Sequence, residues 1–249
     1  MKSFVLNAAG FTCVTFTTGA LAWFAPSYIN DGITSQELPQ DCCNCSDDPN
    51  WVSNYSAPQG VWGPITKDDV TLYFGFVTCF GGLIGVTCGM LLSKHLRPKH
   101  EWIDPVICGI SLLISIPFLI AGIFLAKEKL MLAYIIIFLG MCFLNTNWSV
   151  AVDMTIYVIT PSRRATAEAI HLMLTHALGE AGAPYLVGLL AQGLEPGIRE
   201  ANPEYCQATV KYFAMQRAMF LPFAFCCLGG ILFLIATHWV VRDKHAVEK

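Results

Sequence analysis

Glu168-Ala-Ile-His171-Leu-Met-Leu-Thr-His176-Ala-Leu-Gly-Glu180 lies inside an apolar stretch that runs from Ala167 to Leu194. Two glutamates and two histidines are its only interruptions. A stretch of this length can cross a bilayer, which takes about 20 apolar residues. His176 and Glu180 stand four apart, so they share one helix face near the middle of the segment. A charged side chain at the bilayer centre costs about 3 kcal/mol on insertion scales, and such residues normally face a bundle interior or a water-filled path. The segment therefore reads as a membrane span that carries a functional face.

Outward from it, the chain repeats the same length of apolar sequence without the charges. Ser3–Asn30, Val70–Ser93, Pro105–Ala126, Leu130–Val152 and Ala218–Val241 contain no Lys, Arg, Asp or Glu. Mean hydropathy is +0.53, 55% of residues are hydrophobic and 13% are charged, about half the usual share for a soluble domain. The expectation is an all-α membrane protein with one six-helix bundle over residues 1–249. Its spans fall at about 4–29, 70–92, 105–126, 130–158, 167–191 and 212–241. The first segment is too long for the apolar core of a cleavable signal peptide, and only Lys2 precedes it, so it reads as a span.

Loop charge gives an orientation. The N-terminus, 93–104, 159–166 and the C-terminal tail hold nine Lys and Arg, against five in 30–69, 127–129 and 195–211. Both termini are thus expected in the cytoplasm, with the 30–69 loop luminal or extracellular. That loop carries two glycosylation sequons, at Asn44 and Asn54, which need that side. The match at Asn147 is discounted because it lies in a span. Cys42, Cys43, Cys45 and Cys206 fall on the same side and are candidate disulfide partners in any of three pairings. Zinc is the competing reading, and the absence of an accompanying His speaks against a metal site. The other cysteines lie in spans and read as small apolar packing residues.

Within the spans, Gly81, Gly85 and Gly89 recur every four residues and form a stripe suited to close helix packing. Pro184 follows Glu180 by four residues, so the polar face of span five is also a weak point of its helix. Nothing in the sequence reads as an enzyme: there is no G-x-S-x-G, no H-E-x-x-H and no phosphate-binding glycine loop. No cofactor and no nucleic-acid partner is expected.

The candidate substrate cavity is lined by Thr17, Thr18, Asn147, Trp148, His176 and Glu180. Asn145 lies beside this set in span four. The indole offers apolar area and the amides a polar contact, although hydroxyls and amides can equally serve only to join helices. Toward the cytoplasmic end, Asp153, Arg163, Arg164 and Glu168 are a candidate gate, with Asp153 expected to pair with Arg163 or Arg164. A static topology anchor is the alternative.

Four segments carry a resemblance: Thr18-Gly-Ala-Leu-Ala-Trp-Phe-Ala-Pro26, Asn147-Trp-Ser-Val-Ala-Val-Asp153, Arg163-Arg-Ala-Thr-Ala-Glu-Ala169 and Gly179-Glu-Ala-Gly-Ala-Pro-Tyr-Leu-Val-Gly188. They resemble the C-terminal half of the spinster family, lysolipid and sphingolipid transporters of the major facilitator superfamily. The resemblance implies helices 7–12 of a twelve-helix fold and alternating access between two six-helix halves. It further implies a sphingolipid or lysophospholipid substrate, proton linkage in some members, and a lysosomal, late endosomal or plasma-membrane location. On this reading the chain works with an N-terminal six-helix half. The alternative is a non-transporting truncated isoform or fragment that binds and modulates a full-length transporter. The 30–69 loop, richer in Cys and acid, departs from the family pattern.

Overall fold

The computed structural model describes residues 1–37, 59–60, 63–64, 67–126, 129–203, 205 and 207–248. The candidate sequon and disulfide residues Asn44, Asn54, Cys42, Cys43, Cys45 and Cys206 lie outside them. The chain is helical almost throughout: α1 (Lys2–Glu37), α2 (Lys67–Leu96), α3 (Ile103–Leu125), α4 (Leu130–Asn145), α5 (Asn147–Val158), α6 (Arg164–Leu174), α7 (Gly182–Ala201), α8 (Gln207–Ala218) and α9 (Phe220–Glu248). Two residue pairs, Gln59–Gly60 and Gly63–Pro64, form a short antiparallel ribbon before α2.

Several of these helices join end to end. Thr146 stays in helical geometry, its N–H bonded to the Cys142 carbonyl, so α4 and α5 make one rod. The α8–α9 junction at Met219 lies just before Pro222, which has no N–H to offer the Ala218 carbonyl. Among the described residues, five stretches are long and apolar enough to cross a membrane: Lys2–Gly32, Asp69–Leu96, Ile103–Leu125, Leu130–Val158 and Thr209–Val247. The sixth rod, α6–α7, is the one interrupted by Glu and His.

Helix α1 occupies the middle of the bundle and packs on α9, α5, α8, α7 and the segment between α6 and α7, while α3 lies between α4 and α9. Phe11, Val14, Leu112, Leu144, Met154 and Phe233 are sealed in this core. At one end Tyr28 donates to the Ile123 carbonyl, stacks on Tyr212 and accepts from the Gln216 amide, joining α1, α3 and α8. At the other end Asp243 of α9 accepts from the Ser3 N–H and hydroxyl. The Lys244 ammonium donates to Glu101 in the α2–α3 turn, and that bond holds the Glu101 carboxyl below its usual range.

The glycine stripe lies against α4. A Cβ on Gly81 would touch Met141, one on Gly85 would run into the Cys142 carbonyl oxygen, and one on Gly89 into that of Thr146. By contrast, the other side of α2 exposes Leu72, Phe76, Phe80, Leu83 and Leu91, and α7 exposes Tyr185, Leu186 and Leu189. Apolar surface of this kind suits lipid or a further helical body rather than water.

Candidate substrate-facing site

Between α6 and α7 the rod widens into a π turn, Thr175–Glu180, closed by the Ala181 N–H on the His176 carbonyl, five residues back. Pro184 accounts for part of this: it has no N–H for the Glu180 carbonyl, so the α ladder cannot run through the junction. Contact with α1 accounts for the rest. The Thr15 hydroxyl donates across to the Thr175 carbonyl at 2.8 Å. Gly19 faces the Glu180 backbone, and Gly179 faces Thr15 and the Thr12 carbonyl. Two glycines thus let the backbones meet directly. π turns recur at functional sites.

The turn presents His176 and Glu180 outward. Their Nδ1···Oε2 distance is 2.6 Å, and the side chains are 45% and 48% exposed. The His176 ring lies 6.2 Å from that of Trp148, which packs edge-on against Phe11 of α1. The Trp148 indole N–H is buried and has no partner. One turn before it on the same rod stands Asn145, whose amide NH₂ donates to the Met141 carbonyl. Asn145 also lines a groove of about 320 Å³ among α1, α2 and α4, with Thr18, Ala22, Pro26, Thr78 and Met141. Thr18 neighbours Gly19, which touches Glu180. A polar track therefore runs from Thr18 and Asn145, which is itself buried but lines the groove, through the half-buried Trp148 to the exposed His176 and Glu180.

Two residues of the sequence-based set point elsewhere. Thr17 is fully buried, and its hydroxyl is shared between the Cys13 and Pro222 carbonyls, so it joins α1 to α9. Asn147 is also fully buried and donates to the Leu144 carbonyl and Ser111 of α3. Each sits one or two residues from a track member, and steps of about 100° per residue carry it to another face. Asn145 takes the place expected of Asn147.

The ion cluster at the α2–α3 end differs from expectation as well. Asp153 pairs with Arg97 at 3.0 Å, and neither Arg163 nor Arg164 reaches it among the described residues. The Arg164 guanidinium instead donates to the Ile159 carbonyl, and Glu168 faces His171 at 3.7 Å. The reason is geometric: α2 packs on α5, so Arg97 just past its end reaches Asp153, whereas the Arg164 side chain folds back onto the Ile159 carbonyl. Arg97 also meets Asp104 at 2.7 Å. Asp104 is wholly buried in the first turn of α3, where it accepts from the Ser93 and Tyr157 hydroxyls. Burial alone would lower the Arg97 pKa, but Asp104 and Asp153 raise it, so the guanidinium stays charged. Asp104 at the head of an uncharged span, seven residues after Arg97, was the sequence signal for this pair.

The arrangement of rods is that of half a major facilitator transporter. Two crystal structures of a bacterial homolog to the human lysosomal transporter spinster superpose on the chain. The inward-facing unoccupied form gives a TM-score of 0.70 over 97% of this chain and 48% of that one. The inward-facing occupied form gives 0.71 over 98% and 50%. Both are 17% identical in sequence, which establishes the fold. No protein-family model matches the chain. Protein spinster of Drosophila melanogaster is 37% identical over 216 residues, 87% of this chain and 32% of its own length. Human protein spinster homolog 1 is 34% identical over 251 residues, 99% of this chain and 42% of its own length. The chain belongs to the spinster family and matches the C-terminal portion of its members. It spans less than half the length of these relatives.

Proposed function

We propose that the chain is the C-terminal half of a spinster-like transporter that moves a sphingolipid or lysophospholipid by alternating access. Its partner on this reading is an N-terminal six-helix half, seated over the face that carries the polar track. The carrying observation is that track itself. Thr18, Asn145, Trp148, His176 and Glu180 form a strip of polar groups that starts in the groove among α1, α2 and α4 and ends on the exposed His176–Glu180 pair. Transporter sites of this class lie near the midplane between repeats. An amphiphile fits such a strip: its chain against apolar side walls, its head group against the exposed His176–Glu180 pair, with the Asn145 amide lining the adjoining groove. The Arg97–Asp104–Asp153 cluster then serves as the cytoplasmic gate in place of the expected Arg163/Arg164 pairing.

The test is transport of a labelled lysolipid by the chain joined to a cognate N-terminal half, over about pH 5 to 8, where imidazole titrates. Glu180→Gln should express and fold normally while transport per folded molecule falls to background or loses its pH dependence. Normal, pH-dependent transport by Glu180→Gln would remove the dyad from the mechanism.

The same proposal places both termini in the cytoplasm, the 30–69 loop in the lumen or outside the cell, and the protein in lysosomal, late endosomal or plasma membrane. Loop charge and the two sequons support the orientation. Expression in cells with a secretory pathway should yield a glycosidase-sensitive mass shift that Asn44→Gln/Asn54→Gln abolishes. An unglycosylated wild-type loop that an antibody reaches only from the cytoplasm would reverse the topology.

A further inference from the structure

Apart from the track, the bundle encloses a chain of polar groups that joins α1, α5 and α6. The Asn7 NH₂ donates to the Ala151 carbonyl at 2.8 Å and to the Thr155 hydroxyl at 3.0 Å. Thr155 Oγ1 lies 3.3 Å from His171 Nδ1 and 3.2 Å from the Ala151 carbonyl. His171 Nδ1 lies 3.7 Å from Glu168 Oε1. His171 is wholly buried, its ring against Phe4 and Phe11. Four atoms of this set are sealed from solvent and have no hydrogen-bond partner among the described residues: Asn7 Oδ1, His171 Nε2, Glu168 Oε1 and Glu168 Oε2.

The hydrogens available do not suffice for these acceptors. Thr155 has one hydroxyl hydrogen and two acceptors in reach, Ala151 O and His171 Nδ1. If it goes to Ala151, His171 Nδ1 must carry its own proton and Nε2 is a bare lone pair. If it goes to His171, the single Nδ1 lone pair is satisfied, the imidazole proton sits unpartnered on Nε2, and the Glu168 carboxylate has no donor. Either way the imidazole's own proton leaves Glu168 a sealed carboxylate with no donor within hydrogen-bond distance, and one further proton, taken by the carboxyl, removes that charge; each buried acceptor left unmet costs about 1–3 kcal/mol. Among the described residues no other charged group pairs with Glu168 or His171, although Met1 and Arg163 line a cavity beside Phe4 with Ala167 and Ile170. The α1 neighbours are Asn7, Phe4 and Phe11; on α5, Asp153 is taken by Arg97 and the Tyr157 hydroxyl by Asp104. On the same rod, Arg164 is turned to Ile159 and His176 to Glu180, while Arg163 is exposed in the turn before α6.

We propose that Glu168 and His171 form an internal proton-binding site, in which one exchangeable proton joins the start of the α6 rod to α1 and α5. The site is independent of the lipid track and of the identity of any substrate.

Two measurements on the full chain in detergent decide it. The first is the pH-difference infrared spectrum of the unmodified protein, which should contain the carbonyl band of a buried carboxylic acid that Glu168→Gln removes. A wild-type spectrum with exposed carboxylate changes only would overturn the proposal, whatever the variants do. The second is the thermal midpoint as a function of pH in choline chloride. Wild type and Asp153→Asn should show the same step, and Glu168→Gln and His171→Gln should each lose it. Superimposed profiles for wild type and both variants would leave a site filled by water alone and defeat the proposal. A midpoint that responds to replacing choline by sodium, and not to pH, would make the occupant a metal cation and equally defeat it.

Discussion

Gly179→Ala should unseat the α6–α7 rod from α1. The added methyl would run into the Thr15 hydroxyl, with the Thr12 carbonyl and the Phe16 amide directly behind it. Thr15 is held there by its bond to the Thr175 carbonyl, and the other two atoms are backbone, so none can give way cheaply. Overpacking typically costs about 1–3 kcal/mol and more against rigid neighbours. For a chain of this size each kcal/mol moves the thermal midpoint by about 2–4 °C. The expected drop is therefore several degrees in detergent-solubilised protein. Thr15→Ala in the same chain should recover part of it, because the nearest obstacle is gone while the backbone atoms remain. Gly193→Ala is the matched control: nothing lies within 4 Å of its Cβ position. Equal midpoints for Gly179→Ala and Gly193→Ala would show that the close approach of α1 and the π turn does not hold the bundle together.

Arg97→Ala should be the most damaging charge removal in the bundle. It leaves Asp104, at 0% exposure, with only the Ser93 and Tyr157 hydroxyls. Removing one partner of a buried pair costs about 3–5 kcal/mol because the other charge stays buried. Those two hydroxyls favour the lower end of that range. Asp153→Asn should differ sharply. Its side chain is 49% exposed, and exposed pairs contribute about 0–1 kcal/mol. The Arg97→Ala/Asp104→Asn double variant should recover stability relative to Arg97→Ala, since the orphaned charge is removed. Similar midpoints for Arg97→Ala and Asp153→Asn would mean that water reaches Asp104. The two variants also separate roles: a gate acting through Asp153 predicts altered cytoplasmic cysteine accessibility in Asp153→Asn with little change in stability.

Much of this architecture was legible in the sequence because membrane insertion is governed by length and charge. Uncharged stretches of 20-odd residues announce a span irrespective of what they pack against. The all-helical fold of the spinster family was already evident in segments such as Arg163–Ala169 and Gly179–Gly188. The polar face of span five could be read as well, since His176 and Glu180 need only the helical repeat to meet.

What the sequence could not supply was the rotation of each rod about its axis. In a soluble helix the hydrophobic side points inward. Here Leu, Ile and Phe cover both the buried and the outward faces, so the pattern does not tell Thr17 from Thr18 or Asn145 from Asn147. Packing chose between them: Thr17 was taken up by the Pro222 carbonyl and Asn147 by α3, while Thr18 and the buried Asn145 were left lining the groove. Ion pairing was decided in the same way. Asp153 had Arg163 and Arg164 within reach along the chain, and only the seating of α2 against α5 brought the distant Arg97 to it. Length and charge along the chain thus determined which segments are helices of a membrane bundle, and contacts between those helices decided which polar side chains face each other and which face out.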